Sequence, residues 1–528
     1  GKATADTDGA RNQFPVSGGG GGGGAWGGIT GTLSAQTDLQ AALDAKVPSS
    51  RTVAGKALTA DVSLVKADVG LGNVDNTSDA NKPVSTATLT ALNAKQATLV
   101  SATNIKTING ASILGSGDMS VASATNVIEV DVTGVTASTG DLTPALLAAF
   151  NSADDGTGGI PKMVVCPPGR WRLDTNLTVT NKSVNFDGQG AEFVVDNSLD
   201  IMVFDSTVSA LTAAAAVTNR ANYTYFGASF SWGAQIQLAD TSSINVGDVM
   251  KVVSDNRINK IAFTSDSGSV ERWAEMGTVL VKDASNVWLD RCFEGEYTNN
   301  PRYCVLNKSR TFRAVNFSFT NIADVLESTN IGSYRAGITV RGYVRPYLDE
   351  IITRDLPGPS VSVVGCYLPQ IGALYGYHQQ GNTSNNQVGY TLNVTSCQGG
   401  GARFVYGERV RHVVTTNAVD ITANNSAHYN YGGVVDFHCG LVIGESCESF
   451  VWDQHTDAYN FTADTVICRG DFQPRAEQTG AVQFRGLKCH VEHIHCETET
   501  GYAVLWNTYS PNCTIVYGLD DGVSVPTG

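Results

Sequence analysis

The chain has 528 residues, of which only 16% are charged, and its formal net charge is −15 at pH 7. This acidic balance argues against a nucleic-acid partner, because the phosphates of nucleic acids are bound mainly by Lys and Arg. The 42% of hydrophobic residues is enough for a folded chain. The polar content comes mainly from Thr, Ser, Asn and Gly, a mix that suits strands and turns better than helices. The sequence contains no apolar run of about 18 residues, so no transmembrane helix is predicted.

The first 125 residues differ in composition from the rest of the chain. They contain nine Lys or Arg, nine Asp and no Glu, so the whole net charge lies in residues 126–528. Between Phe14 and Phe150 the only aromatic residue is Trp26, and seven consecutive glycines at 18–24 predict a flexible linker. We therefore predict a flexible segment at 1–25, a stalk at 26–125, and a separate domain at 126–528.

Two short amphipathic helices are predicted in the stalk region, at 36–46 and at 88–95. In the first helix Leu39 and Leu43 share one face at a spacing of four residues. Each helix is too short to be stable alone, and the region has too few apolar residues for a core within one chain. We expect several copies of the chain to bury these residues together, in a stalk of short coiled coils and β-hairpins.

Three segments of this region carry longer motifs, at 28–39, 69–85 and 106–118. They resemble the stalks of bacteriophage tail fibres. The resemblance implies a homotrimer in the virion tail, assembled in the host cytoplasm, whose N-terminal segment contacts tail or baseplate proteins.

The first element predicted after residue 126 is a helix at 141–150, where Pro144 suits the first helical turn. A short apolar strand at 163–166 and a Pro-Pro-Gly turn at 167–169 follow. This order resembles the beginning of the right-handed parallel β-helix of pectate-lyase type in phage tailspikes. Residues 191–280 interrupt the order and predict a small antiparallel insertion.

Short apolar strands recur beyond residue 314 at nearly constant intervals. Val315, Ile338 and Val361 are each 23 residues apart, Val466 and Val491 are 25 apart, and Val491 and Ile515 are 24 apart. Such a period suits stacked solenoid coils, whereas a β-sandwich would turn every 8–12 residues. The predicted fold is therefore all-β: a right-handed parallel β-helix preceded by a trimeric fibrous stalk.

The densest group of residues that could carry chemistry lies between 436 and 457. The predicted catalytic residues are Asp436, Asp453, His455 and Asp457, and the predicted substrate-binding residues are Trp452, Arg469 and Arg485. Carboxylates serve as acid and base, or as nucleophile, in glycoside hydrolysis, and as proton acceptors in polysaccharide lyases. The alternative is a structural role, in which these side chains satisfy backbone groups at the corners of the coils.

All eleven cysteines lie from Cys166 onward and include no CxxC pair. An odd number of cysteines, in a chain without a visible secretory signal, predicts mostly reduced and buried thiols. His490, His493 and His495 lack the spacing of structural zinc sites, so no metal or other cofactor is predicted.

These patterns together predict a phage tail fibre or tailspike that attaches the virion to its host by binding a surface polysaccharide. Two alternatives remain open at this point. One is a polysaccharide depolymerase, either an endo-acting hydrolase or a lyase, and the other is a purely structural fibre segment. The predicted partners are two further copies of the chain, tail or baseplate proteins and the bacterial polysaccharide, without nucleic acid or membrane insertion.

Overall fold

A computed structural model describes most of the chain, which divides into two compact units, residues 1–119 and residues 120–528. The described residues are 37–46, 50–58, 60–73, 84–97, 126–154, 156, 160–195, 201–206, 208–225, 228–258, 272–322, 336–356, 358–379, 389–417, 431–455, 458–470, 479–497, 502–506 and 512–520. Across these ranges, no helix has both the length and the apolar character needed to span a membrane. The glycine run and the motif at 106–118 lie outside the described residues, and the boundaries at 25 and 125 stay predictions.

The first unit contains the two predicted helices and a hairpin. Its elements are α1 (Thr37–Lys46), β1 (Thr52–Val53), β2 (Lys56–Ala57), a 3₁₀ turn (Lys66–Val69) and α2 (Thr86–Ala97). Strands β1 and β2 pair in antiparallel register, as a hairpin requires. The helices predicted at 36–46 and 88–95 are confirmed. In α2, Leu89 and Leu92 are 47% and 60% exposed, so the single chain leaves these apolar side chains uncovered.

The second unit begins with the first coils of a parallel β-helix. Its first elements are β3 (Val127–Glu129), α3 (Thr143–Ala153), β4 (Met163–Val165), β5 (Arg170–Leu173), β6 (Leu177–Thr180), β7 (Val184–Val195) and β8 (Met202–Asp205). The predicted helix corresponds to α3, where Asp141 Oδ1 accepts the backbone N–H of Thr143 at 2.9 Å. Phe150 of α3 packs edge-on against Phe186 and Phe204, with centroid distances of 5.4 Å, which fixes the helix on these coils.

An antiparallel insertion interrupts the β-helix between residues 212 and 306. Its strands are β9 (Thr212–Ala213), β10 (Ala216–Tyr225), β11 (Ala228–Gln237), β12 (Val249–Arg257), β13 (Arg272–Lys282), β14 (Asn286–Leu289) and β15 (Arg302–Leu306). They form a sheet in the order β10-β11-β14-β13-β12-β15-β9. The insertion therefore starts and ends later than the expected 191–280, because β7 and β8 pair in parallel with strands of the β-helix.

The coils then resume and continue to the end of the described chain. Their strands are β16 (Phe312–Asn321), β17 (Ile338–Arg341), β18 (Tyr347–Arg354), β19 (Val361–Val364), β20 (Gln370–Tyr377), β21 (Tyr390–Thr395), β22 (Gly401–Glu408), β23 (His412–Asn417), β24 (Val434–Val435), β25 (His438–Glu445), β26 (Phe450–Asp453), β27 (Ala458–Tyr459), β28 (Thr462–Arg469), β29 (Gly480–Phe484), β30 (His490–Glu497), β31 (Tyr502–Trp506) and β32 (Thr514–Asp520).

Each coil contributes one strand to each of two parallel sheets. The long sheet has the order β3-β4-β7-β16-β18-β20-β22-β25-β28-β30-β32, and the short sheet has the order β6-β8-β17-β19-β21-β23-β26-β29-β31. A third side consists of parallel bridges, such as Val344 with Tyr367 and Tyr367 with Gln398. The inward side chains of all three sides form one continuous apolar core. The predicted parallel β-helix is confirmed.

The chain turns between these sides through residues in the left-handed backbone region. Arg345, Leu368, Asp436 and Asn460 have φ between 52° and 58° and occupy equivalent corners before strands of the long sheet. Non-glycine residues adopt this conformation at a cost, so side-chain hydrogen bonds at the corner help to hold them. One such bond joins adjacent coils, from Asn460 Nδ2 to Asp436 Oδ1 at 2.7 Å.

The insertion contains a fully buried carboxylate, Glu275. It accepts the backbone N–H groups of Glu294 at 3.1 Å and Gly295 at 2.8 Å, and the Tyr297 hydroxyl donates to it at 3.0 Å. Burial raises the pKa of Glu275 from 4.5 to about 7, and these hydrogen bonds offset only part of the effect.

This raised pKa predicts that the insertion loses stability as the pH rises. Below pH 4.5 the carboxyl is protonated in both the folded and the unfolded chain. Between 4.5 and 7 only the folded chain keeps the proton. The free energy of unfolding should therefore fall by about 3 kcal/mol across this interval. Denaturant titrations at several pH values should show a smaller fall for Glu275→Gln, and equal slopes in the two proteins would contradict the prediction.

Candidate functional site

Three of the predicted site residues meet at the end of the short sheet. Asp453 is the last residue of β26, and it pairs in register with Gln483 of β29. His455 and Arg485 each follow two residues later, so parallel register carries them to the same level of adjacent coils. Arg485 Nη2 lies 2.5 Å from Asp453 Oδ2 and 3.3 Å from His455 Nε2. Asp453 Oδ2 and His455 Nε2 are 3.6 Å apart. The structure thus brings these three residues together.

A fourth residue, His412 of β23, belongs to the same cluster. Its Nε2 lies 3.4 Å from Asp453 Oδ2, while its Nδ1 is hydrogen-bonded to the carbonyl of Phe450 at 2.8 Å. Sequence patterns do not single out His412, which precedes Asp453 by 41 residues. In the register of β23 and β26 Thr415 pairs with Asp453, so His412 is level with Phe450 and only its ring Nε2 approaches Asp453.

The electrostatics of this cluster place a neutral imidazole beside a buried ion pair. Asp453 and His412 are buried, and 27% of the His455 side chain is exposed. Burial and the positive charge of Arg485 lower the pKa of His455 to about 3, although Asp453 opposes the shift. The His455 ring is therefore uncharged near neutral pH.

Asp453 is the only carboxylate among the described residues of this cluster. Hydrolysis of a glycosidic bond by the usual route needs a second carboxyl, one of the two carrying the proton for the leaving oxygen. No three His, Cys, Asp or Glu side chains in the described part of the chain lie close enough together to hold a metal ion. The described cluster thus holds one carboxylate, which is paired with Arg485 and lies beside two imidazoles.

Asp436 lies at a different place, at a corner between β24 and β25, where its φ is 58°. Its Oδ2 accepts hydrogen bonds from Arg291 of the insertion and from Gln398 Nε2 at 3.1 Å, and its Oδ1 accepts one from Asn460. Asp436 and Asp453 have no hydrogen-bond partner in common among the described residues. Asp436 is therefore separate from the cluster around Asp453, and its hydrogen bonds connect the insertion with three coils.

The other predicted residues are dispersed. Trp452 is fully buried and stacks on Phe461 at 5.1 Å, so it is a core residue and its ring has no exposed face for a sugar. Arg469 lies on the outer face of the long sheet, with its Nε 3.5 Å from Glu497 of the next coil. Asp457 lies outside the described residues.

An aromatic surface that the sequence analysis missed lies on the outer face of the long sheet. Tyr375 and Tyr377 of β20, with Phe404 and Tyr406 of β22, point outward and are half-buried. We call these four residues the aromatic row. The ring centroids are 5.4 Å apart for Tyr375 and Phe404, 5.5 Å for Tyr377 and Tyr406, and 6.4 Å for Tyr375 and Tyr406.

Charged and polar groups surround the aromatic row. The Arg354 guanidinium lies 4.5 Å from the ring centroid of Tyr377, and the Tyr406 hydroxyl donates to Glu445 Oε2 at 2.9 Å. Burial and the Glu445 carboxylate raise the pKa of Tyr406, so the phenol stays protonated and keeps donating. His378 lies 3.4 Å from Asp355 and 3.7 Å from Glu408. Rings flanked by hydrogen-bonding groups suit a ligand that has both apolar and hydroxyl-bearing surfaces.

A repeated glycine in the sequence could have indicated this surface. The segments 374–377, 405–408 and 442–445 each read as an apolar residue, Tyr or Ile, Gly, and Tyr or Glu. Tyr375, Tyr406 and Ile443 are in register on three adjacent strands. A Cβ at Gly407 would lie 2.7 Å from a methyl group of Val410, so the glycine is needed for close packing at the corner. The residue before each glycine thus has a fixed outward position, and it is a tyrosine in two of the three segments.

Comparison with known proteins finds similar structures among phage spikes, whereas no protein-family model matches the sequence. The chain is similar to tailspike gp49 of Pseudomonas phage LKA1, with 13% identity over 72% of each chain and a TM-score of 0.40. It is also similar to tailspike gp61 of Pseudomonas phage phi297, with 12% identity over 69% of each chain and a TM-score of 0.42. The Gp54 tailspike of Acinetobacter baumannii bacteriophage AP22, solved with a capsular saccharide of that bacterium, has 10% identity and a TM-score of 0.39. That match covers 71% of this chain and 74% of the spike.

Proposed function

We propose that this chain is a phage tailspike subunit that attaches the virion to its host by binding a surface polysaccharide along the aromatic row. The observation that carries the proposal is the outward position of Tyr375, Tyr377, Phe404 and Tyr406 beside Glu408 and Glu445. The fibre-type motifs at 28–39, 69–85 and 106–118 supply the second part of the proposal, attachment to a virion.

The geometry of the aromatic row suits a linear sugar chain. Adjacent strands of a sheet lie about 4.8 Å apart, which is roughly the length of one sugar residue. Rings on β20 and β22 are therefore spaced to contact successive sugars by their C–H faces. The carboxylates of Glu408 and Glu445 accept hydrogen bonds, so hydroxyl groups at the edges of the same sugars have partners. Binding would then depend on both the rings and the carboxylates.

The proposal includes a homotrimer joined to tail or baseplate proteins through its N-terminal segment. The exposed Leu89 and Leu92 of α2 support self-association, because burying such side chains against further copies of the chain is favourable. Catalytic roles for Asp453, His455 and Asp457 stay a hypothesis. In the described cluster the Asp453 carboxylate is buried and paired with Arg485, which supports a structural role for the pair.

Removing a ring from the aromatic row should weaken polysaccharide binding. Tyr377→Ala and Tyr406→Ala should each lower the affinity for host polysaccharide about tenfold, which corresponds to about 1.4 kcal/mol. The loss follows from a missing stacking surface, so Tyr377→Phe should bind nearly as well as the parent. Calorimetric titration with purified capsule or lipopolysaccharide measures these affinities.

Ile467→Ala is the matched control for this experiment. Ile467 is half-buried in the same outward column, two coils beyond Tyr406. This variant should bind like the parent. Light scattering on every variant distinguishes a sugar-binding surface from a contact between copies of the chain. If the alanine variants keep their affinity but form smaller oligomers, the aromatic row is a contact between copies of the chain and the proposed binding surface is wrong.

A further inference from the structure

The β-helix core contains three pairs of cysteines on neighbouring coils. None of the eleven cysteines is part of a disulfide, and ten of them are buried. The pairs are Cys366 with Cys397, Cys468 with Cys496, and Cys489 with Cys513. Cys468 and Cys496 are partners in the register of β28 and β30. Cys366 and Cys397 directly precede the bridged residues Tyr367 and Gln398. Cys489 and Cys513 directly precede the paired residues His490 and Thr514. Adjacent strands are about 4.8 Å apart, within the range of about 4.4–6.8 Å that a disulfide needs between Cα atoms.

One of these pairs differs from the others because a lysine of the insertion reaches it. Lys251 of β12 is fully buried, and its Nζ donates to the carbonyl of Ser396, the residue before Cys397, at 3.3 Å. Cys304 of β15 pairs with Lys251 across the insertion sheet. The ammonium group therefore lies among the thiols of Cys304, Cys366 and Cys397, which all influence its charge.

The lysine favours ionisation of one thiol. Burial opposes the thiolate of Cys397, but the hydrogen bond from Cys366 and the Lys251 charge outweigh it and lower the pKa of Cys397. The causes of the shifts in the other two pairs include no lysine: the hydrogen bond with Cys496 and burial raise the pKa of Cys468, and the hydrogen bond with Cys489 lowers the pKa of Cys513. The thiolate is the reactive form of cysteine, so the Cys366–Cys397 pair should react faster than the Cys468–Cys496 pair although both are buried.

We propose that Cys397 and Cys366 form an oxidation site that hydrogen peroxide converts into a disulfide between two adjacent coils. The Cys397 thiolate attacks one peroxide oxygen and breaks the O–O bond, which gives a sulfenic acid and hydroxide. The Cys366 thiol then attacks the Cys397 sulfur and displaces hydroxide, which takes the thiol proton and leaves as water. In total, two thiols and one peroxide give one disulfide and two water molecules. Peroxide is close to water in size, so local opening of the coil suffices for its entry.

The experiment compares the two cysteine pairs within the intact protein. Folded protein is treated with hydrogen peroxide for increasing times, the remaining thiols are alkylated after unfolding, and the peptides are quantified by mass spectrometry. The Cys366–Cys397 cross-link should form at least about tenfold faster than the Cys468–Cys496 cross-link. Equal rates, a faster Cys468–Cys496 pair, or no Cys366–Cys397 cross-link would overturn the proposal.

Two variants test the order of the steps and the part played by the lysine. In Cys366→Ser combined with Cys304→Ser, the Cys397 sulfenic acid has no neighbouring thiol to condense with, so dimedone should label Cys397. Labelling elsewhere instead would contradict the assigned nucleophile. Lys251→Met should slow the cross-link about tenfold, whereas Cys468→Ser should leave its rate unchanged. If Lys251→Met is not folded, the comparison between the two pairs in the parent protein decides the question.

Discussion

Trp452→Ala should lower the free energy of unfolding by about 3–5 kcal/mol. The indole is fully buried, stacks on Phe461 at an interplanar angle of 24°, and meets Phe484 edge-on at 5.9 Å. Alanine would remove these contacts and leave a cavity that stacked coils cannot close without losing register. Chemical denaturation followed by circular dichroism measures the loss.

Tyr375→Ala is the matched control for this substitution. Its ring belongs to the aromatic row and is half-exposed, so its loss should cost less than half as much stability. The two variants should also differ in polysaccharide binding, which only the change at Tyr375 is expected to weaken. If Trp452→Ala instead kept full stability and lost binding, the original assignment of Trp452 as a sugar-stacking residue would be right.

Arg485→Met should be similarly destabilising, by about 3–5 kcal/mol. The substitution removes the guanidinium that lies 2.5 Å from Asp453 Oδ2 and leaves a buried carboxylate without its main countercharge. Arg469→Met is the control, since Arg469 and Glu497 are both more than 40% exposed and such a pair contributes at most about 1 kcal/mol.

A double variant separates the cost of an unpaired charge from the loss of packing. Asp453→Asn combined with Arg485→Met removes both charges, so it should recover a large part of the stability that Arg485→Met loses. Thermal and denaturant unfolding of the four proteins give the coupling energy. A double variant no more stable than Arg485→Met would contradict the role assigned to the ion pair.

The sequence periodicity predicted the β-helix correctly where the corners are short. Ile338 and Val361 are paired in register, and so are Val491 and Ile515, as their spacing indicated. Other pairs of apolar residues had a similar spacing although they are not partners in the sheets. Val315 belongs to the long sheet and Ile338 to the short sheet, and Val466 pairs with Ile494 instead of Val491. Apolar spacing identifies strands, but it does not say which side of the coil a strand occupies.

The candidate site was predictable only in its local parts. The spacing of Asp453 and His455 placed them near each other correctly, because both lie at one strand end. His412 could not be assigned, since the coil from Val414 to Trp452 is 38 residues long and its length hides the register. Trp452 was assigned to the surface because an aromatic residue beside charged ones fits a binding site as well as a core.

The coils of this β-helix differ greatly in length although their strands stay in register. The chain covers 23 residues from Ile338 to Val361, 31 from Val361 to Leu392, and 38 from Val414 to Trp452. The extra residues lie between strands, so a corner segment can be lengthened, shortened or exchanged without repacking the interior. Under the attachment function proposed above, recombination of a single corner would change the outer surface of the protein while the stacked scaffold is inherited intact.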